Sequence, residues 1–410
     1  MASTTKLTAH QRAKILARAS DVVSKNHIKR VPSWPALVAE HKEQIVRVEH
    51  PAEFEQAMLD LLENLGMSHT RFYHRSLNRF PAQRCINATY QPYESPEGPR
   101  WMFQDVHEGG PAALAGVEPG DLLIAIADRE VRPLEIPLLA MGQTNTLTVE
   151  KKTGQVRRLT IPVGMPKRGK RPLTEPRITS WSPVADNVGY IKISMFPGIV
   201  GIDVARDTDR AVRELDCSRL IVDLRGNCGG GIGGLRLMSY LTPSQLPVGY
   251  SVTRRALARG YDKERLPHFD RIPSRKAALF GLALRFAFRD RSIAIFTEGL
   301  GPQKFHGRAV LLVNQHTASA AEMTTGFIKE NHLATIVGTR TAGQVLGGKV
   351  FKVGYGYLLG IPVTNYLTWN GTVLEGNGVE PDESIEVTHD SLIEGRDIQL
   401  ERAAAIAESL

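Results

Sequence analysis

Residues 310–323, VLLVNQHTASAAEM, join an apolar run to a turn of small residues that leads into a helical pattern. Ser319 stands in this turn at the predicted start of the helix, near the positive end of the helix dipole. The N–H groups of a first helical turn have no partners within the helix, so they could bind an oxyanion. Ser319 is therefore a candidate nucleophile, with helix N-capping as the structural alternative.

A glycine-rich segment, residues 220–233 (LIVDLRGNCGGGIG), contains a second apolar strand pattern. Glycine lets backbone N–H groups turn toward a ligand because no Cβ stands in the way. A phosphate loop is a weak interpretation, since neither GxGxxG nor GxxxxGK[ST] occurs here. We interpret Cys228 as a small residue before the glycines rather than a nucleophile, because no base is fixed beside it. Asp223 and Arg225 are expected to support the loop by hydrogen bonds and an ion pair.

The elements that must position these segments begin with a helical N-terminal module, residues 1–75. Apolar residues in 52–65 recur on one face of a helix, and Gly66 supplies a C-terminal stop. Residues 9–24 form another amphipathic stretch, separated from the first by Pro32 and Pro35. The module ends at residues 67–70, MSHT.

Residues 101–131 indicate a strand, a glycine turn, a short helix over 112–115, a tight turn and a strand over 122–126. Residues 146–149 and 158–161 add strands. The segment 116–121, GVEPGD, resembles the xGVxPGDxI turn of PDZ domains, so we predict a PDZ domain over 96–165. The resemblance implies that the unit captures the C-termini of other polypeptides by strand addition. A packing or gating role is the alternative.

After a linker, residues 166–186, the chain alternates strands (188–193, 220–224, 310–313, 335–337) with helices (202–215, 320–331), and strands follow over 350–368. This order predicts an α/β core with a mainly parallel sheet over 187–395. A basic insertion over 252–308, with a helix at 277–288, interrupts it as a lid or an oligomer contact. Residues 396–410 are predicted to form a C-terminal helix.

Composition narrows the class of protein. The chain has 410 residues, 42% hydrophobic and 23% charged, which is typical of globular domains rather than disordered or fibrous chains. No apolar run is long enough for a membrane span and no signal sequence is recognisable, so a cytoplasmic location is expected. Three cysteines argue against a disulfide framework. The net charge of +8 is spread out, with runs such as 166–172 and 254–259, and no nucleic-acid-binding motif accompanies it.

Four motifs together resemble the C-terminal processing peptidases, or tail-specific proteases, including the branch with the tricorn core and the nisin-resistance proteins. They are DLRGNCGG (223–230), TASAAE (317–322), GTRTAG (338–343) and GVEPD (378–382). The resemblance covers the PDZ unit and nearly all of 187–387. It implies a ClpP/crotonase-like core and a serine endopeptidase acting on proteins or peptides with exposed C-termini. It implies no metal and no organic cofactor, and it leaves self-association open.

The resemblance also implies roles for single residues. Ser319 becomes the nucleophile, and the oxyanion donors become the amides of Ala320 and of Gly229 or Gly230. The tail-specific branch carries a lysine base 25 residues after the serine, but Gln344 stands there and its amide cannot accept a proton.

The tricorn-like branch uses an upstream Ser-His pair, which matches Ser68 and His69. His69 would then be the general base, Ser68 would assist it and Glu375 would orient it.

Several alternatives stay open. Lys349 could serve as the base after a local rearrangement, and His74 competes with His69. His316 is kept as a substrate-pocket residue, and Glu322 as a capping or helix-surface carboxylate. A catalytically silent binding protein that keeps the PDZ site is the second function considered, because Gln344 departs from the lysine pattern.

Overall fold

The structure is a computed structural model that describes residues 7–75, 79–133, 135–164, 177–198, 200–274, 292–301 and 305–410. The basic run 166–172 and the expected helix 277–288 lie outside the described residues.

The helices are, in chain order, α1 (Ala9–Asn26), α2 (Trp34–Arg47), α3 (Pro51–Glu63), α4 (Ala82–Ile86), α5 (Pro111–Leu114), α6 (Ile202–Leu215), α7 (Leu235–Leu241), α8 (Arg254–Arg259), α9 (Ala320–Glu330), α10 (His389–Ile393) and α11 (Ile398–Ser409). A short 3₁₀ helix spans Lys263–Arg265. Within the described residues, none of these helices combines the length and apolarity that crossing a bilayer requires.

The strands are, in chain order, β1 (Arg71–His74), β2 (Arg79–Pro81), β3 (Ala88–Ser95), β4 (Gly98–Val106), β5 (Leu122–Ile126), β6 (Arg129–Glu130), β7 (Leu138–Ala140), β8 (Gln143–Glu150), β9 (Val156–Val163), β10 (Thr179–Ala185), β11 (Val188–Ile193), β12 (Arg219–Asp223), β13 (Pro247–Thr253), β14 (His268–Phe269), β15 (Ile293–Phe296), β16 (Ala309–Val313), β17 (Thr335–Gly338), β18 (Leu346–Gly354), β19 (Tyr357–Thr368) and β20 (Glu383–Ser384).

The central sheet has the strand order β10-β11-β12-β16-β17-β20. Every pair from β11 onward is parallel, and only β10 joins β11 in the antiparallel sense. The α/β prediction is thereby confirmed. Because β12 and β16 are parallel neighbours, the segments that follow them leave the sheet at the same edge. Those segments are the glycine-rich loop and the turn that carries Ser319.

A second core sheet was not expected from the sequence. It contains β1, β13, β14, β15, β18 and β19, and all of its pairs except β14–β15 are antiparallel. The strand β1 pairs with the first third of β19, at Tyr357–Gly360. This pairing brings residues 67–70 from the N-terminal module to the second core sheet.

The N-terminal module packs against one face of this second sheet. Phe54 of α3 makes edge-to-face contacts with Phe72 of β1 and Tyr357 of β19, with ring centroids 5.8 and 5.3 Å apart. The sequence predicted α1 and α3 but not α2, in which only Trp34 and Ile45 are buried. Proline stands in the first turn of α2 and α3, where it interrupts no helical hydrogen bond.

The antiparallel sheet of the PDZ-like unit has the order β3-β4-β5-β8-β9. Its first strand, β3, lies before residue 96 and pairs with β4. Polar side chains join this sheet to the core: Asn314 Nδ2 donates to Asp105 Oδ2 over 3.2 Å, and Gln315 Nε2 donates to Gln104 Oε1 over 3.1 Å. The unit therefore contacts the turn that precedes Ser319.

We expect Phe54→Ala to lower the free energy of unfolding by about 3–5 kcal/mol, because it leaves a cavity between α3 and the second sheet. Leu114→Ala is the matched control: Leu114 is 79% exposed, so its truncation should change stability by less than about 0.5 kcal/mol. Urea unfolding followed by circular dichroism measures both variants. Equal losses in the two variants would contradict a packing role for Phe54.

Candidate active site

Ser319 is the N-cap residue that precedes α9, and it has a backbone conformation that non-glycine residues rarely adopt, with φ 57° and ψ −120°. The residue is half-buried, and its carbonyl accepts the Met323 N–H over 3.0 Å. A non-glycine residue at positive φ costs free energy and persists only where the surrounding structure imposes it. Ser319 is thus held by its surroundings rather than by local preference.

Glu322 supplies much of that surrounding structure. Its Oε2 accepts the N–H groups of Ser319 and Gln344 over 3.1 and 2.8 Å, and its Oε1 accepts the Thr341 hydroxyl and the Gly343 N–H, each over 2.6 Å. Burial raises the pKa of Glu322, and these four hydrogen bonds oppose the rise. The interpretation as a capping carboxylate is right for Ser319, but a helix-surface position is wrong because the residue is fully buried.

The glycine-rich loop is fastened to the serine turn by backbone and side-chain hydrogen bonds. Ala318 N–H donates to the Asn227 carbonyl, and the Thr317 hydroxyl donates to the Leu224 carbonyl, both over 2.9 Å. Gly229 must be glycine, because a Cβ there would lie 2.6 Å from the Cβ of Ser319. The two loops therefore touch at the candidate nucleophile.

The two oxyanion candidates in the loop differ in how their N–H groups are used. The Gly229 N–H donates to Asn227 Oδ1 over 2.9 Å, while Asn227 Nδ2 is anchored on the Ile193 carbonyl. Gly230 is exposed, and within the described residues no acceptor contacts its N–H or that of Ala320. Of the alternatives left open by the sequence, the geometry favours Gly230 with Ala320. The buried Asn227 was not singled out from the sequence.

Ser68, His69 and Glu375 form one hydrogen-bonded cluster. The Ser68 hydroxyl donates to Glu375 Oε2 over 2.9 Å and lies 2.7 Å from His69 Nδ1, and the Ser68 N–H donates to Glu375 Oε1 over 2.8 Å. A hydroxyl has one proton and a carboxylate has none, so the Ser68 oxygen must accept from His69 Nδ1–H. In the neutral imidazole the other ring nitrogen, Nε2, then carries the lone pair.

Residues 343–345 connect this cluster to the serine turn. Gly343 and Gln344 donate to Glu322, and the next residue, Val345, donates its N–H to Glu375 Oε2 over 2.8 Å. The glutamate beside Ser319 and the glutamate beside His69 thus hold consecutive peptide groups. Gln344 itself contributes its backbone here, and its side chain is exposed.

The structure separates the competing histidines from this cluster. His74 lies at the far end of β1, where its Nε2 contacts the Tyr355 carbonyl at 3.2 Å. His316 is in hydrogen-bond contact with the Tyr90 backbone in the PDZ-like sheet, and burial lowers its pKa. Neither contact directs the ring to Ser319. Cys228 is a free, half-buried thiol.

Lys349 lies on the opposite side of the second sheet from His69. A Cβ built on Gly348 would lie 3.7 Å from the His69 Cβ, so His69 covers the face to which Gly348 points. Side chains alternate along a strand, and Lys349 accordingly points to the other face, where its Nζ lies 4.9 Å from the centre of the Phe351 ring.

Asp223 and Arg225 form the ion pair expected from the sequence. Arg225 makes paired hydrogen bonds with Asp223 and with Asp397, at 2.7–3.1 Å. Burial disfavours the charged form of Asp223, but Arg225 and Lys192 outweigh it and hold the pKa of this carboxyl well below its usual range. This network braces the start of the glycine-rich loop. Among the described residues, no group of three or more His, Cys, Asp or Glu side chains converges as a metal site requires.

We expect Glu322→Gln to lower the free energy of unfolding by about 1–3 kcal/mol, because the amide NH₂ leaves at least one buried N–H without an acceptor. Glu380→Gln is the control, since that carboxylate is exposed. Chemical denaturation of both variants measures the difference. A Glu322→Gln protein as stable as the control variant would show that the four hydrogen bonds do not brace the turn.

Known proteins resemble this protein over both of its recognised parts. Residues 187–385 match peptidase family S41, and residues 102–146 match the PDZ domain. A carboxyl-terminal-processing protease of Picosynechococcus is 25% identical over 284 residues, which is 68% of this chain and 58% of that protein. A protein described as a tricorn protease homolog, from Streptomyces coelicolor, is 26% identical over 92% of this chain and 30% of its own length.

The fold agrees with these matches. The solved photosystem II D1 C-terminal processing protease superimposes with a TM-score of 0.57 at 17% identity, covering 94% of this chain and 98% of that one. The chain spans about 58% or less of the length of these two curated relatives. The matched segments contain the serine turn, the glycine-rich loop and Glu375. The match of residues 187–385 to peptidase family S41, the PDZ match and the carboxyl-terminal-processing protease relatives together support a C-terminal processing peptidase family for this chain.

Proposed function

We propose that the protein is a serine endopeptidase in which Ser319 is the nucleophile and His69 is the general base. The observation that carries the proposal is the pair of short contacts that the Ser68 hydroxyl makes with Glu375 Oε2 and with His69 Nδ1, at 2.9 and 2.7 Å. Donation of the Ser68 hydroxyl to Glu375 supports a proton on His69 Nδ1, with Nε2 of the neutral ring as the proton acceptor. A base in this tautomer is what activation of a serine hydroxyl requires.

In the first chemical step, the Ser319 Oγ attacks a substrate carbonyl carbon while His69 Nε2 takes the hydroxyl proton. The C–N bond then breaks, and the imidazolium returns that proton to the leaving amine. Ser68 and Glu375 stabilise the imidazolium, because its Nδ1–H points into a series of hydrogen bonds that ends on a carboxylate. Water attacks the resulting ester by the same proton transfers in reverse and frees Ser319.

The tetrahedral oxyanion would be bound by the N–H groups of Gly230 and Ala320. Both belong to segments fastened to the serine turn, so they need little reorganisation as charge develops. One such donor contributes about 2.7–4 kcal/mol to lowering a barrier in hydrolases of this kind. The donation of the Gly229 N–H to Asn227 supports Gly230 rather than Gly229 in this role.

The PDZ domain is proposed to hold the substrate, through an exposed C-terminal tail that adds a strand to the edge of its sheet. Its contacts with Asn314 and Gln315 support a link between tail binding and the serine turn. Self-association and a cytoplasmic location stay predictions from the sequence.

The position of Lys349 supports His69 as the base. A Ser/Lys mechanism would need the Lys349 side chain to move from the Phe351 face of β18 to the face covered by His69. A silent binding protein is the remaining alternative, which direct labelling of Ser319 decides.

We expect Ser319→Ala to abolish labelling by a fluorophosphonate probe and cleavage of unfolded casein. His69→Ala should lower kcat by about 10³-fold or more, whereas Lys349→Ala should change it by less than about threefold. Gel fluorescence and a fluorescein–casein assay measure these effects.

Absence of wild-type labelling between pH 5 and 9, chosen to span imidazole ionisation, would support the silent binding protein. Loss of activity in Lys349→Ala with retention in His69→Ala would establish the Ser/Lys mechanism.

Glu375→Gln should lower kcat by roughly 10²–10⁴-fold, because the amide no longer enforces the tautomer of His69 or stabilises its cation. The acidic limb of the pH–rate profile should move to lower pH, since removal of a negative charge makes the imidazole harder to protonate. Glu380→Gln, an exposed carboxylate five residues away, should leave both quantities unchanged. A reduced kcat without a shift of the profile would indicate a purely structural role.

A further inference from the structure

The strand β18 leaves the candidate active site as an edge of the second sheet in the part of the chain that the structure describes. It begins one residue after Val345, whose N–H binds Glu375, and within the described residues β19 is its only strand partner. Gly348, Lys349 and Val350 are exposed, and Val350 remains 54% accessible although it is apolar. An unpaired edge of this kind is a template for another strand.

The direction of the β19 backbone groups shows which atoms β18 presents at this edge. Arg75 N–H donates to the Gly356 carbonyl over 2.8 Å, so residue 356 faces β1, and so does every second residue after it. The carbonyl of Pro362 agrees with this alternation, since it accepts the Ile28 N–H over 3.0 Å rather than a donor of β18. Residues 358, 360 and 362 therefore turn their backbone groups away from β18.

The register then fixes the orientation of β18. Gly348 lies opposite Pro362, Val350 opposite Gly360, and Lys352 opposite Leu358. In antiparallel sheets, residues opposite each other without mutual hydrogen bonds direct their N–H and C=O groups outward. Gly348, Val350 and Lys352 consequently present these groups at the free edge, spaced about 6.6 Å apart.

This edge is continuous with the proposed catalytic base. The face to which Gly348 points is the face covered by His69, since a Cβ on Gly348 would lie 3.7 Å from the His69 Cβ. Gly347 and Gly348 have no side chains, so a second backbone can approach closely there. A strand added to β18 would pass beside His69, which is where a scissile peptide must lie.

We propose that the outward backbone groups of Gly348 and Val350 bind the substrate polypeptide as an added β-strand, with the side chain of Val350 in contact with it. The occupant is an extended, unfolded segment of the substrate near its cleavage site, and the inference rests on the proposed function. The backbone hydrogen bonds between β18 and the substrate supply affinity that does not depend on the substrate side chains. The side chain of Val350 favours an apolar substrate residue on the same face of the sheet.

The test exploits the outward direction of the Val350 N–H. Val350→Pro removes that donor without taking a hydrogen bond from the β18–β19 ladder, and proline is tolerated on such an edge. We expect kcat/KM for fluorescein–casein to fall at least about tenfold, because a donor is lost and the ring obstructs the incoming strand. Val350→Thr keeps the N–H and the branched shape, so its decrease should be much smaller.

Fluorophosphonate labelling separates the two proposals, because the small probe forms no strand. Labelling of wild type and of Val350→Pro at similar rates, together with the loss of casein cleavage, supports the edge. Equal casein cleavage by wild type and a folded Val350→Pro would overturn the edge but leave the peptidase proposal intact. Absence of wild-type labelling and cleavage would instead overturn the peptidase proposal.

A second measurement avoids dependence on folding of the proline variant. A casein-derived peptide that the wild type cleaves is compared with depsipeptides in which one amide at a time, away from the scissile bond, becomes an ester. We expect kcat/KM to fall at alternate positions, since only every second residue of an added strand bonds to β18. Equal kcat/KM values for all of the depsipeptides would overturn the proposal. It would also be overturned if the wild type were a dimer, the Val350→Pro variant were a monomer, and both cleaved casein equally well.

Discussion

Two carboxylates, Glu322 and Glu375, hold consecutive peptide groups of residues 343–345, and the architecture of the site depends on this double attachment. Glu322 also accepts the Ser319 N–H, while Glu375 also binds Ser68. Residues from the first and last fifths of the sequence thereby share one short segment with the serine turn. Because carboxylates accept hydrogen bonds from several donors at once, each adds to the direct backbone bonds of this region, in which Ala342 N–H donates to the Thr317 carbonyl and Gly376 N–H to the Gly343 carbonyl.

The central sheet and the second sheet position the residues of the candidate site in different ways. The strands β12 and β16 are parallel neighbours, so the glycine-rich loop and the serine turn that follow them leave the sheet at the same edge. The antiparallel pair β1 and β19 carries Ser68 and His69 in from the N-terminal helices. Phe54 packs on Phe72 of β1 and on Tyr357 of β19, and this packing stabilises the pairing of the two strands. The N-terminal module is therefore part of the scaffold of the site.

Backbone strain and burial both occur where the proposed chemistry needs rigidity. Ser319 adopts a positive φ, Gly229 permits a contact that any Cβ would prevent, and Asn227 of the glycine-rich loop is fully buried. The ion pairs of Arg225 with Asp223 and Asp397 brace the same loop from behind. The PDZ sheet adds its own contacts through Asp105, so a change at that sheet has a direct structural route to the serine turn.

The sequence by itself determined the local elements: the parallel core strands, the helices α6 and α9, the PDZ turn and the small-residue motifs, whose signals lie within a few neighbouring residues. The family resemblance also selected Ser68, His69 and Glu375. Only the tertiary structure decided which glycine amide is available to an oxyanion and that Glu322 is buried. It also decided that Lys349 faces away from His69 and that β18, within the described residues, is an edge strand. These depend on strand register and on contacts such as Ser68 to Glu375, 307 positions apart, and no local periodicity encodes pairings at that range.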